Sequence, residues 1–257
     1  MRRKLGQHFL KDRTTLLKIA EALNLEPGDT VIEIGAGHGE LTEKLKAEGL
    51  KIIAIERDKD FVELLRNKFG EDKNVEIVEG DALEKLKTKR EKLKTYKIVG
   101  NIPYYITGHL LRVISELENK PEICVLTIQK EVAIRITAEP PKMNRLAASV
   151  QFWAEPKIVD YLQAKLFSPP PEVDSAIVKL KTRSEKRKIK GEDYYRMIRI
   201  LFQQPRKTIL NNLVAKGENG WTREKILEVL EKEGVKPSDR PQNLSIDEIV
   251  RLATVLE

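Results

Sequence analysis

A regular alternation of short apolar runs and helical segments between residues 28 and 181 constrains the fold more than any other feature of this sequence. Most of the apolar runs are continuous, as expected of strands that are covered on both faces. Helix-period segments such as Asp60–Phe69 and Gln129–Ile136 lie between them. The pattern predicts an α/β fold, with a Rossmann-like, doubly wound and mostly parallel sheet. The predicted strands are Val31–Ile34, Ile52–Ile55, Val75–Val78, Lys97–Val99, Cys124–Ile128, Val150–Trp153 and Ala176–Leu180.

The pattern changes after Lys181. The next residues are polar and basic, and beyond them only helical periodicity remains. Ser245 and Glu248 form a capping box at the start of the last helix. We therefore expect a larger domain over residues 1–182 and a small all-α C-terminal domain over residues 183–257. The predicted helices of this second domain are Tyr194–Gln203, Lys207–Ala215, Arg223–Glu233 and Ile246–Leu256.

Basic residues are concentrated in two segments of the chain. Lys and Arg together number 47 against 40 Asp and Glu, a net charge of +7. Residues 1–18 hold six basic and one acidic side chain, and residues 183–210 hold nine and three, so the remainder is mildly acidic. Two basic segments on an acidic body predict a polyanionic partner. The lysine-rich run over Leu83–Lys97 is interpreted as a solvated face.

Cysteine and histidine usage excludes several classes of protein. The single cysteine, Cys124, excludes an internal disulfide framework and a cysteine-cluster metal site. The three histidines have no metal-ligand spacing, so no metal is expected. No apolar stretch follows the basic N-terminus, and none approaches the roughly 18 residues of a membrane span. We expect a cytoplasmic protein without a membrane partner, and a monomer as the default.

A glycine-rich loop, Gly35-Ala36-Gly37-His38-Gly39, follows the first predicted strand. Glycines let the backbone turn sharply and approach a ligand closely at the carboxyl edge of a sheet. Gly35 and Gly37 are therefore candidate cofactor contacts. The spacing is G-x-G-x-G and not the G-x-G-x-x-G of dinucleotide-binding enzymes, which disfavours a dehydrogenase.

Two acidic residues follow the second and third predicted strands. Glu56 stands where a carboxylate can accept hydrogen bonds from both hydroxyls of a ribose. Asp81, followed by Ala82, can accept from the exocyclic amine of an adenine. Together with the glycine loop, these residues predict an adenosyl ligand. Sites for NAD and for S-adenosylmethionine share these features, so this evidence alone does not choose between them.

The segment Asn101-Ile102-Pro103-Tyr104, which follows the fourth predicted strand, predicts the reaction. An aromatic amine such as adenine N6 is a poor nucleophile, and its methylation needs acceptors that hold both amino hydrogens. The Asn101 side chain and the main-chain carbonyl of the next residue can supply them, while Pro103 fixes the direction of the backbone. Tyr104 offers a stacking face for an unstacked base, worth about 1–3 kcal/mol.

Together these segments resemble the ribosomal RNA adenine dimethyltransferases, the KsgA-type enzymes, with the Erm antibiotic-resistance methyltransferases as near relatives. The resemblance runs nearly end to end. It implies S-adenosylmethionine as cofactor and no metal. Phe167 is expected to form the second wall of the base pocket. The cofactor contacts that the resemblance implies are His8, Leu10, Gly35, Glu56, Asp81 and Asn101. Further matching stretches are Gly6-Gln7-His8-Phe9-Leu10, Glu56-Arg57-Asp58, Gly80-Asp81-Ala82-Leu83, Gln129-Lys130-Glu131-Val132-Ala133, Phe167-Ser168-Pro169-Pro170-Pro171-Glu172-Val173-Asp174-Ser175 and Leu244-Ser245.

The resemblance also implies a substrate. This is a pair of adjacent adenosines in the hairpin loop near the 3′ end of small-subunit rRNA, dimethylated at N6 during assembly of the small ribosomal subunit. The C-terminal domain is then expected to recognise RNA. The candidate RNA contacts are Arg2, Arg3, Lys4, Arg206 and Lys207. The sequence departs from the family at Pro205, where the first of two consecutive arginines often stands.

Two alternatives remain open at this stage. An Erm-type enzyme, which methylates large-subunit rRNA, shares the motifs of the first 180 residues. The tyrosine at position 104 favours the small-subunit enzymes, because Erm chains more often have phenylalanine there. A ribosome-assembly factor that binds RNA, with methylation as a secondary activity, would also explain the two basic segments.

Overall fold

The computed structural model describes residues 8–46, 49–90, 93–184, 187, 189–216 and 221–256, without the side chains of residues 89 and 90. Arg2, Arg3 and Lys4 lie outside the described residues. The strands are β1 (Phe9–Leu10), β2 (Thr30–Ile34), β3 (Lys51–Glu56), β4 (Val75–Glu79), β5 (Lys97–Asn101), β6 (Ile123–Gln129), β7 (Ala154–Leu162), β8 (Phe167–Ser168) and β9 (Ser175–Thr182). The helices are α1 (Arg13–Ala22), α2 (Glu40–Lys46), α3 (Lys59–Phe69), α4 (Ala82–Arg90), α5 (Thr107–Glu116), α6 (Lys130–Ile136), α7 (Arg145–Gln151), α8 (Gly191–Leu201), α9 (Ile209–Lys216), α10 (Arg223–Lys232) and α11 (Ile246–Val255).

Seven strands form one sheet in the order β4-β3-β2-β5-β6-β9-β7. The first five are parallel, and β9 runs antiparallel to β6. The chain builds outward from β2 to β4 and then returns to the other side of β2 with β5, so the strand order reverses between β2 and β5. In open α/β sheets, ligands bind outside the carboxyl ends of the strands at such a reversal. The predicted α/β class and the mostly parallel sheet are confirmed.

The continuous apolar runs are the buried inner strands. Every residue of β2 after Thr30 is buried, and so is every residue of β6 before Gln129. Strands enclosed by helices on both faces have no solvent-facing side, which explains why these runs do not alternate.

The predicted strand Val150–Trp153 is wrong. Its first two residues close α7 and β7 begins only at Ala154. The helix forms because the Asn144 side chain caps it, accepting hydrogen bonds from the N–H groups of Leu146 and Ala147. Burial along β7 alternates, as in an edge strand with one solvated face, and this strand is not among those predicted from the apolar runs.

The chain divides into two compact units, one of residues 1–133 and 155–182 and the other of residues 134–154 and 183–257. Residues 134–154, which lie within the first domain expected from the sequence, group with the C-terminal helices in the second unit. The reason is local packing in the second unit. Ala147 and Ala148 of α7 are fully buried in its hydrophobic cluster, and the Tyr194 hydroxyl donates a hydrogen bond to the Ala148 carbonyl at 2.9 Å.

The second unit is an all-α body around a dense apolar core. Tyr194 is fully buried and stacks on Phe152, with ring centroids 4.0 Å apart. The predicted capping box opens α11, where Ser245 and Glu248 exchange hydrogen bonds. No helix among the described residues of either unit is long and apolar enough to cross a membrane.

Candidate active site

A cleft in the first unit brings together residues from five separate segments, four of which lie at the carboxyl ends of β2, β3, β4 and β5. Most of the residues predicted from the sequence line it. These are His8, Gly35, Gly37, Glu56, Asp81, Ala82, Asn101, Ile102, Pro103 and Tyr104. All of them except His8, which precedes β1, converge because parallel strands place their carboxyl ends at the same edge of the sheet.

The glycine-rich loop between β2 and α2 needs residues without side chains. Gly35 and Gly37 have φ values of +72° and +54°, in the left-handed region that favours glycine. A Cβ atom at Gly37 would lie 2.9 Å from the Phe9 ring. The loop therefore presents bare backbone to the cleft, and a ligand can approach it closely.

Glu56 ties this loop to the end of β3. Its carboxylate is buried, with one oxygen accepting a hydrogen bond from the Gly37 N–H at 2.9 Å. The other oxygen accepts from the N–H groups of Arg57 and Asp58 at 2.7 and 2.9 Å. A carboxylate has about four acceptor positions, so capacity remains for a ligand hydroxyl.

Asp81 lies between the end of β4 and the first residue of α4. Its Oδ1 accepts a hydrogen bond from the Leu83 N–H at 2.9 Å, and its Oδ2 lies 3.8 Å from the Arg57 guanidinium. The side chain is partly exposed within the cleft, which suits it to accept a hydrogen bond from a ligand.

Asn101 ends β5 with its side chain held in one orientation. The Nδ2 group donates a hydrogen bond to the His8 carbonyl at 2.6 Å. No described residue donates to the side-chain oxygen. Because its donor end is occupied, Asn101 offers its carbonyl oxygen to the cleft as an acceptor, the group that methylation of an aromatic amine requires.

Tyr104 forms an aromatic wall that is held at its ring and at its hydroxyl. The His8 ring stacks near it at 6.0 Å between centroids and 27° between planes. The hydroxyl and the Ser175 Oγ form a hydrogen bond of 2.7 Å. His8 is itself fixed by donating from Nδ1 to the Pro169 carbonyl at 2.8 Å. Burial raises the pKa of the Tyr104 phenol, so the ring carries no charge near neutral pH.

Phe167 does not line the cleft, which corrects the expectation that it forms the second wall of the base pocket. The short strands β1 and β8 pair Leu10 with Phe167, and both side chains are 4% exposed. Both belong to the hydrophobic core of the first unit, because this pairing sets them in the same apolar cluster. The Leu10 side chain is likewise absent from the lining.

Several residues contribute to the site although the sequence predicts no role for them. Phe9, His38 and Phe61 pack their rings against one another, with centroids 4.4 to 5.3 Å apart, and Phe9 lines the cleft. Ser175 ends the proline-rich motif, yet nothing in that motif points to its bond with Tyr104. Such contacts depend on tertiary structure and leave no local signal.

Glu33 is a buried residue of β2, two positions before the glycine-rich loop. Its Oε2 accepts a hydrogen bond from the Thr42 hydroxyl at 2.6 Å. Burial raises the pKa of Glu33 to about 8, and the negative charge of Glu56 adds to this. The carboxyl group is therefore mostly protonated at neutral pH.

This raised pKa predicts a pH-dependent stability. Between the ordinary pKa of 4.5 and about 8, the unfolded chain releases the Glu33 proton and the folded chain retains it. Stability is then lost as pH rises, by up to about 1.4 kcal/mol per pH unit. We expect Glu33→Gln to remove this component, so that the variant gains stability relative to wild type from pH 5 to pH 8.5. Urea unfolding of both proteins at the two pH values measures their free energies of unfolding. If the difference between variant and wild type is the same at both pH values, the expectation is contradicted.

In the second unit, a short exposed loop carries Arg206 and Lys207. Residues 203–207 are exposed, whereas Asn212 behind them is 4% exposed. Asn212 accepts a hydrogen bond from the Gln204 N–H at 3.2 Å. Its Nδ2 group lies within hydrogen-bond distance of three loop carbonyls, those of Gln204, Lys207 and Thr208. One buried side chain therefore fixes the backbone that presents both basic residues.

Replacing Asn212 with alanine is expected to destabilise the second unit. The change removes the buried partner of three carbonyls and one N–H, and an unsatisfied buried polar group costs about 1–3 kcal/mol. We expect the free energy of unfolding to fall by about that amount. Asn211→Ala, an exposed asparagine on the same helix, is the matched control. Equal unfolding midpoints for the two variants in urea would show that Asn212 does not hold the loop.

The family can now be identified by comparison with known proteins. The family model described as ribosomal RNA adenine dimethylase matches residues 1–257. The chain belongs to the ribosomal RNA adenine dimethylase family. A ribosomal RNA small subunit methyltransferase A of Dehalococcoides mccartyi is 40% identical, covering 99% of this chain and 88% of that protein. The enzyme of the same name from Moorella thermoacetica is 37% identical, covering 100% and 92%.

Solved structures agree with this assignment. A dimethyladenosine transferase from Plasmodium falciparum has a TM-score of 0.82 at 29% identity, covering 95% of this adenine dimethylase and 96% of that chain. The 23S rRNA methyltransferase ErmE has a TM-score of 0.77 at 28% identity, covering 96% and 98%. The predicted family, its S-adenosylmethionine-dependent rRNA methyltransferase activity and the fold are confirmed.

Proposed function

We propose that this adenine dimethylase methylates N6 of two adjacent adenosines in the hairpin loop near the 3′ end of small-subunit rRNA, during assembly of the small ribosomal subunit. The names of relatives that match nearly the whole chain support the small-subunit substrate. The observation that carries the chemistry is Asn101, which lines the same cleft as Tyr104 and whose side-chain oxygen accepts no hydrogen bond from the described residues.

The residues of the cleft suit S-adenosylmethionine, which supplies an activated methyl group. In this proposal Glu56 accepts from a ribose hydroxyl, and Asp81 with Ala82 binds the adenine. The backbone at Gly35 and Gly37, which carries no side chains, leaves room for the amino-acid end of S-adenosylmethionine, and His8 lies at the edge of the site. Leu10 remains a contact implied by the family alone, since its side chain is buried.

The target amine is held by Asn101 Oδ1 and by the main chain at Ile102, while Pro103 sets the direction of that backbone. Tyr104 stacks on the target base. The N–C bond forms as the bond from methyl carbon to sulfur breaks, and the enzyme forms no covalent bond. The extra proton on nitrogen leaves to water, because the methylated ammonium-like nitrogen is strongly acidic. Alignment of the two reactants then supplies most of the acceleration, up to about 7–11 kcal/mol.

The basic segments are proposed to bind the RNA backbone. Arg206 and Lys207 are exposed on a loop with a fixed backbone, a suitable support for phosphate contacts. Arg2, Arg3 and Lys4 belong to the same proposal on sequence alone. We further propose that the protein acts as a monomer in the cytoplasm, where it meets assembling subunits.

The test uses radiolabelled S-adenosylmethionine with undermethylated small ribosomal subunits and, separately, with protein-free large-subunit rRNA. We expect label in the small subunits alone, recovered as N6,N6-dimethyladenosine. Label in the large-subunit RNA alone would favour an Erm-type enzyme, the second candidate that the likeness to ErmE supports. Transfer to neither substrate, with cofactor binding intact, would favour an assembly factor.

A further inference from the structure

Tyr105 differs from the other residues of the cleft in its exposure. Its side chain is 63% exposed, the largest fraction among the exposed large apolar residues that the structure describes. It nevertheless lines the cleft, directly beside Tyr104. An aromatic face of this size therefore stands in water at the edge of the proposed base pocket.

The position of Tyr105 is fixed by its backbone. The residue is the middle one of a 3-10 turn over Tyr104–Ile106. This turn is closed by a hydrogen bond from the Ile106 N–H to the Pro103 carbonyl at 3.1 Å. Helix α5 begins at once with Thr107, which is buried. A ring on such a rigid support loses little conformational freedom when a ligand covers it.

Tyr161 provides an instructive contrast. It is also exposed, at 51%, but the Lys130 ammonium lies 5.3 Å from its ring centroid. Tyr105 makes no ring contact, cation contact or side-chain hydrogen bond with the residues that the structure describes. Isolated exposed aromatic residues are common on protein surfaces. Tyr105 is unusual because its uncovered face borders a cleft that already holds a second tyrosine.

We propose that Tyr105 is a stacking platform for the unpaired base next to the target adenine. This inference rests on the proposed function. When one of two adjacent adenosines enters the cleft, its neighbour loses its stacking partner and needs another. Aromatic side chains bind single-stranded bases through their faces, with little dependence on base identity. The platform would therefore accept the neighbouring adenosine both before and after its own methylation.

The proposal is tested by steady-state methyl transfer to undermethylated small ribosomal subunits. The variants are Tyr105→Ala and Tyr105→Leu, which remove the aromatic face, and Tyr105→Phe and Tyr105→Trp, which keep it. Tyr161→Ala is the matched control, an exposed tyrosine of the same unit that does not line the cleft. Affinity for S-adenosylmethionine and the melting temperature are measured for every variant.

Loss of one base–aromatic stack lowers affinity by about tenfold to a hundredfold. We expect a reduction of that size in kcat/KM for the subunit with alanine and leucine, while phenylalanine and tryptophan retain most of the wild-type value. Cofactor affinity and melting temperature stay unchanged throughout, and Tyr161→Ala behaves as wild type. Wild-type kcat/KM in the alanine and leucine variants, or an equal loss in the phenylalanine variant, would overturn the proposal. Absence of transfer by the wild-type enzyme would instead overturn the proposed function.

Discussion

Asn101→Ala is expected to abolish methyl transfer while leaving cofactor binding weakened at most. Among the residues that the structure describes, the side chain makes one hydrogen bond, to the His8 carbonyl, and its oxygen is the proposed acceptor for the target amine. Removal of a single polar group that acts in a transition state costs about 100- to 1,000-fold in rate. Single-turnover transfer of a labelled methyl group to small subunits measures the loss, and calorimetric titration with S-adenosylmethionine measures cofactor affinity.

Two further variants distinguish a specific role of Asn101 in methyl transfer from a general effect of substitution on activity. Asn101→Asp keeps an oxygen acceptor but replaces the donor to the His8 carbonyl with a second oxygen, so we expect strongly reduced transfer there as well. Asn67→Ala, an exposed asparagine on α3, should behave as wild type. Full activity of Asn101→Ala would remove this residue from the proposed mechanism.

Glu56→Ala is expected to cause the largest loss of cofactor affinity. The carboxylate joins the loop after β2 to the end of β3 through three main-chain N–H groups, and it is the proposed acceptor for a ribose hydroxyl. Hydrogen bonds to a charged group are worth about 1.5–3 kcal/mol each, so loss of one ribose bond predicts a reduction in cofactor affinity of about one to two orders of magnitude. Calorimetric titration with S-adenosylmethionine provides the measurement.

The control for this variant is Glu63→Ala, which removes an exposed carboxylate from α3. Its cofactor affinity should equal that of the wild type. Glu56→Gln keeps the size of the side chain but replaces one acceptor oxygen with a donor that faces main-chain N–H groups, so we expect an intermediate loss. Wild-type affinity in Glu56→Ala would show that the ribose lies elsewhere.

Much of the fold could be predicted because a strand that is buried on both faces gives a continuous apolar run in the sequence. The inner strands β2, β5 and β6 are covered on both faces, so their apolar runs stand out. Strand β7 has one solvated face and a weaker pattern, and it was missed. The wrongly predicted strand Val150–Trp153 includes the last two residues of α7, because the contacts that stabilise this helix come from Asn144 and from residues distant in sequence such as Tyr194.

The candidate site follows the same division. Glycines and polar residues at the ends of parallel strands must meet at one edge of the sheet, so Gly37, Glu56 and Asn101 could be grouped before any coordinates. No such rule predicts the contact between Tyr104 and Ser175, since it depends on how the loops fold back. The misplacement of Phe167 has the same origin, because its burial results from the pairing of β1 with β8.

The second unit is discontinuous in sequence, and this affects how the protein can be engineered. The chain enters it at residue 134, returns to the first unit at residue 155 and comes back at residue 183. A fragment that ends at residue 182 would keep α7 but lose the partners of Ala147 and Ala148. A chimaera made by exchanging only residues 183–257 would join the α7 of one protein to the core of another. Moving the second unit from one relative to another therefore requires that residues 134–154 and 183–257 be exchanged together.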